Sequence, residues 1–356
     1  MSESLNPIEL AVFVARCAAV CDEMGLILRS AAFSPNIKDR LDYSCALFDA
    51  DGRMFAQAAH VPVHLGSMAF AMQQVVGPRQ WQAGGGLSGN GPFLGGTHLP
   101  DVTLVRPFFS GSELLGFVAN RAHHAQIGAA TPGSMPLSKH LDEEGLVIPP
   151  TLLFEGGEVN RALRASLQAA LGAGTAADLA AQSSANRVGI DRLEQLITAL
   201  SAERYGNAID QLNGYGRAVA EAGVRRIPDG RYCFEDVMDS DGHAAANCTI
   251  KVAITVADAA VQVDFTGTSS AVPGNINCPL SVTAAGVFYV IRCLLPSETP
   301  ACAGAFDVVT IQATPGCLVH AQRPAATAAG NVETSMRIVD CMLGALAEAL
   351  PDEIPA

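Results

Sequence analysis

The chain has 356 residues, 49% hydrophobic and 16% charged, too apolar for disorder and with ample material for a core, about two domains by length. With 22 basic against 35 acidic residues, the net charge of −13 leaves no basic footprint for nucleic-acid phosphates or an anionic membrane surface. Lysines occur only at Lys38, Lys139 and Lys251, so a catalytic lysine has few candidates.

Asn6-Pro7 reads as an N-cap followed by proline at N1, opening a helix through about Arg29 with Ile8, Val12, Ala15 and Ala19 as its apolar face. Glu3 and Glu9 stand where a secretory signal would carry a basic and then an apolar stretch. Ser44 to Phe48 predicts a strand, Asp49 to Gly52 its turn, and Arg53 to Ala58 the returning strand. A helix over about Ser67–Val76 follows. The glycine-rich stretch Gly84–Gly96 lacks the Gly-Lys-Ser/Thr ending of a phosphate loop and has no lysine nearby, so it is expected as a tight surface or site-lining loop.

Val102–Phe109 and Leu114–Ala122, joined by Ser110-Gly-Ser-Glu113, form the clearest hairpin. Helical patterns fill Asn160 to Gly223, with long segments around Thr175–Ser201 and Glu203–Ala222. Three meander strands are expected at Arg231–Asp236, Cys248–Val256 and Val261–Phe265. A buried helix over about Ser281–Leu295, a strand near Val308–Ala313 and a helix over about Glu333–Leu350 complete the chain. The Ser281–Leu295 run is too short for a membrane span and contains Arg292. The ten cysteines are scattered without a Cys-x-x-Cys pair and are expected reduced and mostly buried, in a soluble cytoplasmic protein. The order of elements predicts an α+β fold: β-hairpins in the N-terminal part, a helical middle, then a β-meander with helices. The expected divisions are 1–158, an α/β region with the candidate metal site, 159–225, helical, and 226–356, α+β.

Five of the eight histidines, His60, His64, His98, His123 and His124, fall between residues 60 and 124. With the hairpin turn centred at Gly111-Ser112, residue 101 is expected opposite 122, give or take one. Asp101 and the 123/124 pair then meet at the open end of the hairpin, with His98 in reach across the Leu99-Pro100 bend. Two imidazoles and a carboxylate on one point suit a divalent transition metal with an open position. Successive strand residues face opposite ways, so only one of His123 and His124 can side with Asp101. Pro62 argues against a helical i, i+4 pair of His60 and His64, which are expected to line the same cleft or to satisfy backbone groups. Asp42 lies just before the first strand and could point either way.

These segments resemble the hydantoinase B/oxoprolinase family. The matching stretches include Asp42-Tyr-Ser-Cys-Ala-Leu-Phe-Asp-Ala-Asp-Gly52, His60-Val-Pro-Val-His-Leu-Gly-Ser-Met68, Gly95-Gly-Thr-His-Leu-Pro-Asp-Val-Thr103 and Gly116-Phe-Val-Ala-Asn-Arg-Ala-His-His124. Further on come Pro132-Gly-Ser-Met-Pro136, Glu144-Gly-Leu-Val-Ile-Pro-Pro150, Asp264-Phe-Thr-Gly-Thr268, Asn275-Ile-Asn-Cys-Pro279 and Gly330-Asn-Val-Glu-Thr-Ser335, so the resemblance runs almost end to end. It implies a division of labour. A larger hydantoinase A-type partner subunit binds ATP and phosphorylates the substrate. The B-type subunit holds a divalent metal (Zn, Mn or Fe) and completes hydrolysis of a cyclic amide, or carboxylation in the ketone carboxylases.

The resemblance also implies His98, Asp101 and His123 as metal ligands, Asp42 as a further one, and His124 and Asn120 as catalytic candidates supporting the ligands or facing substrate. Two departures from the family pattern, Gly91 where an acid is usual and Gln126 after the double histidine, point to altered substrate handling or weaker activity. A non-catalytic scaffold is the third reading. Family members continue beyond Ala356, so a truncated or split subunit is expected.

Overall fold

The computed structural model describes residues 4–59, 61–77, 79–129 and 135–354. The helices are α1 (Pro7–Ala31), α2 (Pro35–Lys38), α3 (His64–Val76), α4 (Arg161–Leu171), α5 (Ala173–Leu200), α6 (Ala202–Val224), α7 (Leu280–Leu294), α8 (Ala303–Phe306) and α9 (Ser335–Ala347). The strands are β1 (Tyr43–Asp49), β2 (Met54–Ala59), β3 (Gly86–Gly89), β4 (Asp101–Ser110), β5 (Glu113–His123), β6 (Thr151–Glu155), β7 (Glu158–Val159), β8 (Gly230–Ser240), β9 (Ala246–Ala257), β10 (Ala260–Asp264) and β11 (Val309–Gln312). The fold is α+β, with one antiparallel sheet of order β2-β1-β5-β4-β3-β6-β7 and a mixed sheet of order β11-β10-β9-β8. Among the described residues no helix is long and apolar enough to cross a membrane.

Helix α1 begins as its sequence dictates. The Asn6 side chain accepts from the backbone N–H groups of Ile8 and Glu9, and Glu9 returns the bond to the Asn6 N–H, closing a capping box ahead of Pro7. Its buried face differs from the expected one. Phe13, Cys17, Val20, Cys21, Met24 and Leu28 point inward, whereas Ile8 and Val12 are exposed. Alanines and valines populate both sides of this helix, and the larger side chains on the Phe13 side bury more area and decide its rotation.

Alternation along the strands divides the seven-stranded sheet. Tyr43, Cys45, Leu47, Val118 and Ala122 join the main core with α1, while Ala46, Phe48, Val105, Phe117 and Ala119 pack with Met68 and Met72 of α3. Helix α5 lies over β4 and β5 on the first face, and α7 packs on α3 and α9. The main core runs from Phe13 through Val118 and Leu212 to Ile254 and Met342, while Leu104, Ile148, Leu167 and Leu179 belong to a separate cluster. All ten cysteines are free, and only Cys233 and Cys293 are exposed.

Two strand features differ from the expectations. The stretch Gly84–Gly96 contains β3, an interior strand between β4 and β6, rather than loop alone. Its glycines allow a tight fit: a Cβ on Gly86 would come within 2.9 Å of the Phe154 ring. The turn Gly156-Gly157 then connects β6 to β7, a small hairpin absent from the expected elements.

Candidate metal centre

The β4–β5 ladder carries a bulge. Phe109 pairs with Leu114 but Phe108 pairs with Gly116, so Leu115 is the extra residue and the ladder beyond it shifts by one. Asp101 therefore stands opposite His123, and Ala122 opposite Val102. The same shift puts Asp101, Thr103, Arg121 and His123 on the α3 side of the sheet. Asp42, just ahead of β1, is tied to His123 twice: its carbonyl accepts the His123 N–H at 3.0 Å, and its Oδ2 lies 2.8 Å from His123 Nδ1.

His98 arrives on the loop before β4, its carbonyl accepting the Asp101 N–H at 3.2 Å. That loop is braced from several sides. Gly95 has φ +87°, and a Cβ there would sit 2.2 Å from the Ala71 Cα, so only glycine lets the loop press against α3. Arg121 donates to the Gly95 carbonyl at 2.9 Å, to Ser67 Oγ at 2.7 Å and to Thr103 Oγ1 at 2.9 Å. Ser281 of α7 donates to the Gly96 carbonyl, and Asn90 Nδ2 donates to the Leu99 carbonyl at 2.8 Å.

Together these anchors bring one ligand atom each of His98, Asp101 and His123 within 4.8 Å of one another. His98 Nε2 lies 3.5 Å from Asp101 Oδ2, and His123 Nδ1 lies 3.9 Å from Asp101 Oδ1. The His98 and His123 rings meet edge to face with centroids 4.9 Å apart. All three residues are buried, at 2%, 1% and 5% exposure. Both His98 ring nitrogens and Asp101 Oδ1 lack a hydrogen-bond partner. Each such buried group costs about 1–3 kcal/mol. A tetrahedral ion with bonds of about 2.0–2.1 Å needs donors roughly 3.3 Å apart, so the donor set and its open valences fit a divalent transition metal.

The electrostatics are consistent with a concentrated anionic ligand. Burial alone would push the Asp101 carboxyl up, but the neighbouring His98 and His64 outweigh it and hold it well below the usual carboxylate range. For His123 burial acts downward, and the Asp42 and Asp101 carboxylates overcome it, raising the imidazole. Burial brings the Arg121 guanidinium down to about 10, against the opposing pull of Asp101, so it stays charged at neutral pH.

His64 belongs to the same cluster. It opens α3 directly after the Pro62-Val63 step, and its ligand atom lies with those of Asp42 and Asp101 within 4.8 Å. Pro62 does not break this helix because it precedes the first turn, where a proline costs nothing. His60 lies outside the described residues, as do residues 132–134 of the Pro132–Pro136 motif.

Asn120 and His124, expected to support the ligands or to face substrate, both hydrogen-bond to α5, and His124 Nδ1 is buried without a partner. Asn120 is an odd number of residues from His123 and projects from the other face. Its Nδ2 donates to the Gln182 carbonyl and to Asn186 Oδ1, both at 2.8 Å, and its Oδ1 accepts from Gln182 Nε2 at 2.9 Å. His124 Nε2 lies 3.0 Å from Gln182 Oε1, and burial lowers its pKa. Gln182 was not singled out in the sequence; its place mid-helix in an alanine-rich run gives no periodic signal.

Comparison with known proteins places this arrangement in a family. The hydantoinase B/oxoprolinase family profile matches residues 6–356, and the chain belongs to that family. It is 34% identical over 360 residues to an uncharacterized protein of Methanocaldococcus jannaschii, covering 99% of this chain and 63% of that protein. It is 35% identical over 372 residues to 5-oxoprolinase 1 of Arabidopsis thaliana, covering 95% of this chain and 29% of that protein. Among solved structures, the ATP-dependent caprolactamase from Pseudomonas jessenii superposes with TM-score 0.91 at 26% identity, over 98% of this chain and 61% of that one. Acetone carboxylase in its nucleotide-free form superposes with TM-score 0.86 at 16% identity, over 97% and 48%, a likeness of fold. The chain thus spans less than two thirds of the length of these relatives.

Proposed function

We propose that this chain is the metal-bearing B-type part of an ATP-dependent cyclic amide hydrolase, acting on a hydantoin, 5-oxoproline or lactam phosphorylated by a larger hydantoinase A-type subunit. The observation that carries this reading is the buried His98–Asp101–His123 cluster, with its unpartnered ring nitrogens and carboxylate oxygen. In this reading His98, Asp101 and His123 hold a Zn, Mn or Fe ion, with Asp42 as a further ligand. Such an ion supplies Lewis acidity: it stabilises charge on a substrate oxygen and acidifies water at neutral pH. The chain's own residues prepare that position. The Asp42 carboxylate orients the His123 ring through Nδ1, and Thr97 and His64 hold one oxygen of Asp101. In this reading Asn120 and His124 brace the end of β5 against α5 through Gln182.

ATP is assigned to the partner because the glycine-rich stretch is part strand and has no lysine. We place the complex in the cytoplasm, where ATP is available and ten free thiols stay reduced. Hydrolysis is preferred to ketone carboxylation because the 35% identity is to a 5-oxoprolinase, whereas the carboxylase likeness is one of fold.

The test is co-expression with a hydantoinase A-type ATPase subunit and a screen of lactams and ketones for ATP consumption. Turnover of a cyclic amide by the pair, and none by this chain alone even with ATP, is expected. Amide turnover by the isolated chain would contradict the division of labour, and ATP-dependent consumption of ketones alone would replace hydrolase by carboxylase.

A further inference from the structure

His64 is fully buried at the first position of α3, with both ring nitrogens engaged. Nδ1 lies 2.9 Å from Ser44 Oγ and Nε2 lies 3.4 Å from Asp101 Oδ2. Its neighbour His98 has neither nitrogen engaged in a hydrogen bond. The chemistry of the pair fixes the direction of both contacts. An ionised carboxylate accepts only, so Nε2 facing Asp101 must carry the proton. In the neutral ring Nδ1 is then the acceptor, and the Ser44 hydroxyl donates to it. Ser44, interior to β1 and paired with Arg121 across the ladder, cannot turn to water.

The consequence falls on Asp101. Its Oδ2 accepts from Thr97 Oγ1 as well as from His64, while its Oδ1 is buried without a partner. We propose that His64 is a positioning residue rather than a ligand: with Ser44 setting its tautomer, it pins Oδ2 so that Asp101 offers a single oxygen, Oδ1, to an ion between His98 and His123. A carboxylate free to rotate would present either oxygen or both, changing the coordination number and the space left for substrate. Hydrogen-bonding partners that orient ligands in this way are worth roughly 10–100-fold in metal affinity. The inference rests on the metal-centre reading above.

The experiment loads the metal-stripped full chain with Co(II), titrating affinity and recording the visible ligand-field spectrum, for wild type, His64→Leu, His64→Gln and Ser44→Ala. Leucine fills the volume without a donor, and glutamine keeps an N–H near the Nε2 position. Expected are one Co(II) per chain in all four, affinity lowered about 10–100-fold with an altered spectrum in His64→Leu, and substantial recovery of both in His64→Gln. Ser44→Ala, the mildest change and a safeguard should His64→Leu fail to fold, is expected to shift the same band in the same direction by less. A His64→Leu protein with wild-type affinity and spectrum overturns the inference, as does complete loss of the ion, which would make His64 a ligand. An unaltered spectrum in Ser44→Ala also counts against it. If wild type binds no Co(II), the metal-centre reading itself has failed.

Discussion

Asn120 and His123 sit three positions apart on β5 and face opposite ways, and that alternation separates the contact with α5 from the candidate metal cluster. Replacing Asn120 by alanine removes three hydrogen bonds to α5 and leaves the Gln182 and Asn186 groups unsatisfied. A loss of about 2–3 kcal/mol in chemical denaturation is expected, with metal content unchanged. Loss of the ion at full stability would instead place Asn120 at the reaction. Hairpin closure was legible in the sequence: spacing gathers Asp101, His98 and the 123/124 pair, and only the family resemblance points to His123 rather than His124. The part played by His64 was not, because its meaning depends on α3 starting one residue after Val63 and on Ser44 reaching it from β1. Those are tertiary facts without a local signal.

The loop that carries His98 and the β8–β9 connection are each held by a few close contacts. The loop from Gly91 to Pro100 carries His98, and Gly95→Ala would combine a left-handed backbone with a Cβ overlapping α3. This variant is expected to lose more than about 1 kcal/mol and to bind metal more weakly, as read by denaturant midpoint and metal titration. The β8–β9 connection is held by Asp241, whose Oδ1 accepts from the His243 and Ala245 N–H groups, each at 2.9 Å, while Oδ2 accepts from Gly274 at 2.8 Å. Burial acts upward on this carboxyl, but those backbone donors prevail and lower its pKa. Its contribution is therefore present above the ordinary pKa near 3.8 and lost as pH falls through the depressed folded value. Stability measured from pH 6 to pH 3 should fall less steeply in Asp241→Asn; identical slopes would contradict this.

At this scale the sequence revealed the hairpin but not its bulge. An unbroken ladder puts Asp101 opposite Ala122, and the single extra residue at Leu115 moves it opposite His123. Nothing local announces such a bulge before the pairing with β1 is known. The β6–β7 hairpin, by contrast, had a readable signal in Gly156-Gly157 between an apolar run and Val159. The apolar pattern of α1 does not single out its buried face, because Ile8, Val12 and Leu26 make the outer side apolar too.

The main core of the molecule gathers residues from Phe13 to Met342, while the proposed ligands come from elements far apart in sequence: Asp42 before β1, His98 and Asp101 before and at the start of β4, and His123 at the end of β5. The order of the elements exposed the fold class, since alternation and helical periodicity survive in any context. It could not show that α5 covers one face of the seven-stranded sheet and α3 the other.

The central claim is that the His98–Asp101–His123 cluster holds one ion, and elemental analysis of the stripped and reconstituted chain tests it most directly. The account predicts one divalent transition metal per wild-type chain, a stabilisation of about 2.7 kcal/mol at free metal a hundredfold above Kd, and neither in His98→Ala. A wild-type chain without stoichiometric metal, or a His98→Ala chain that binds and is stabilised as wild type is, would contradict it.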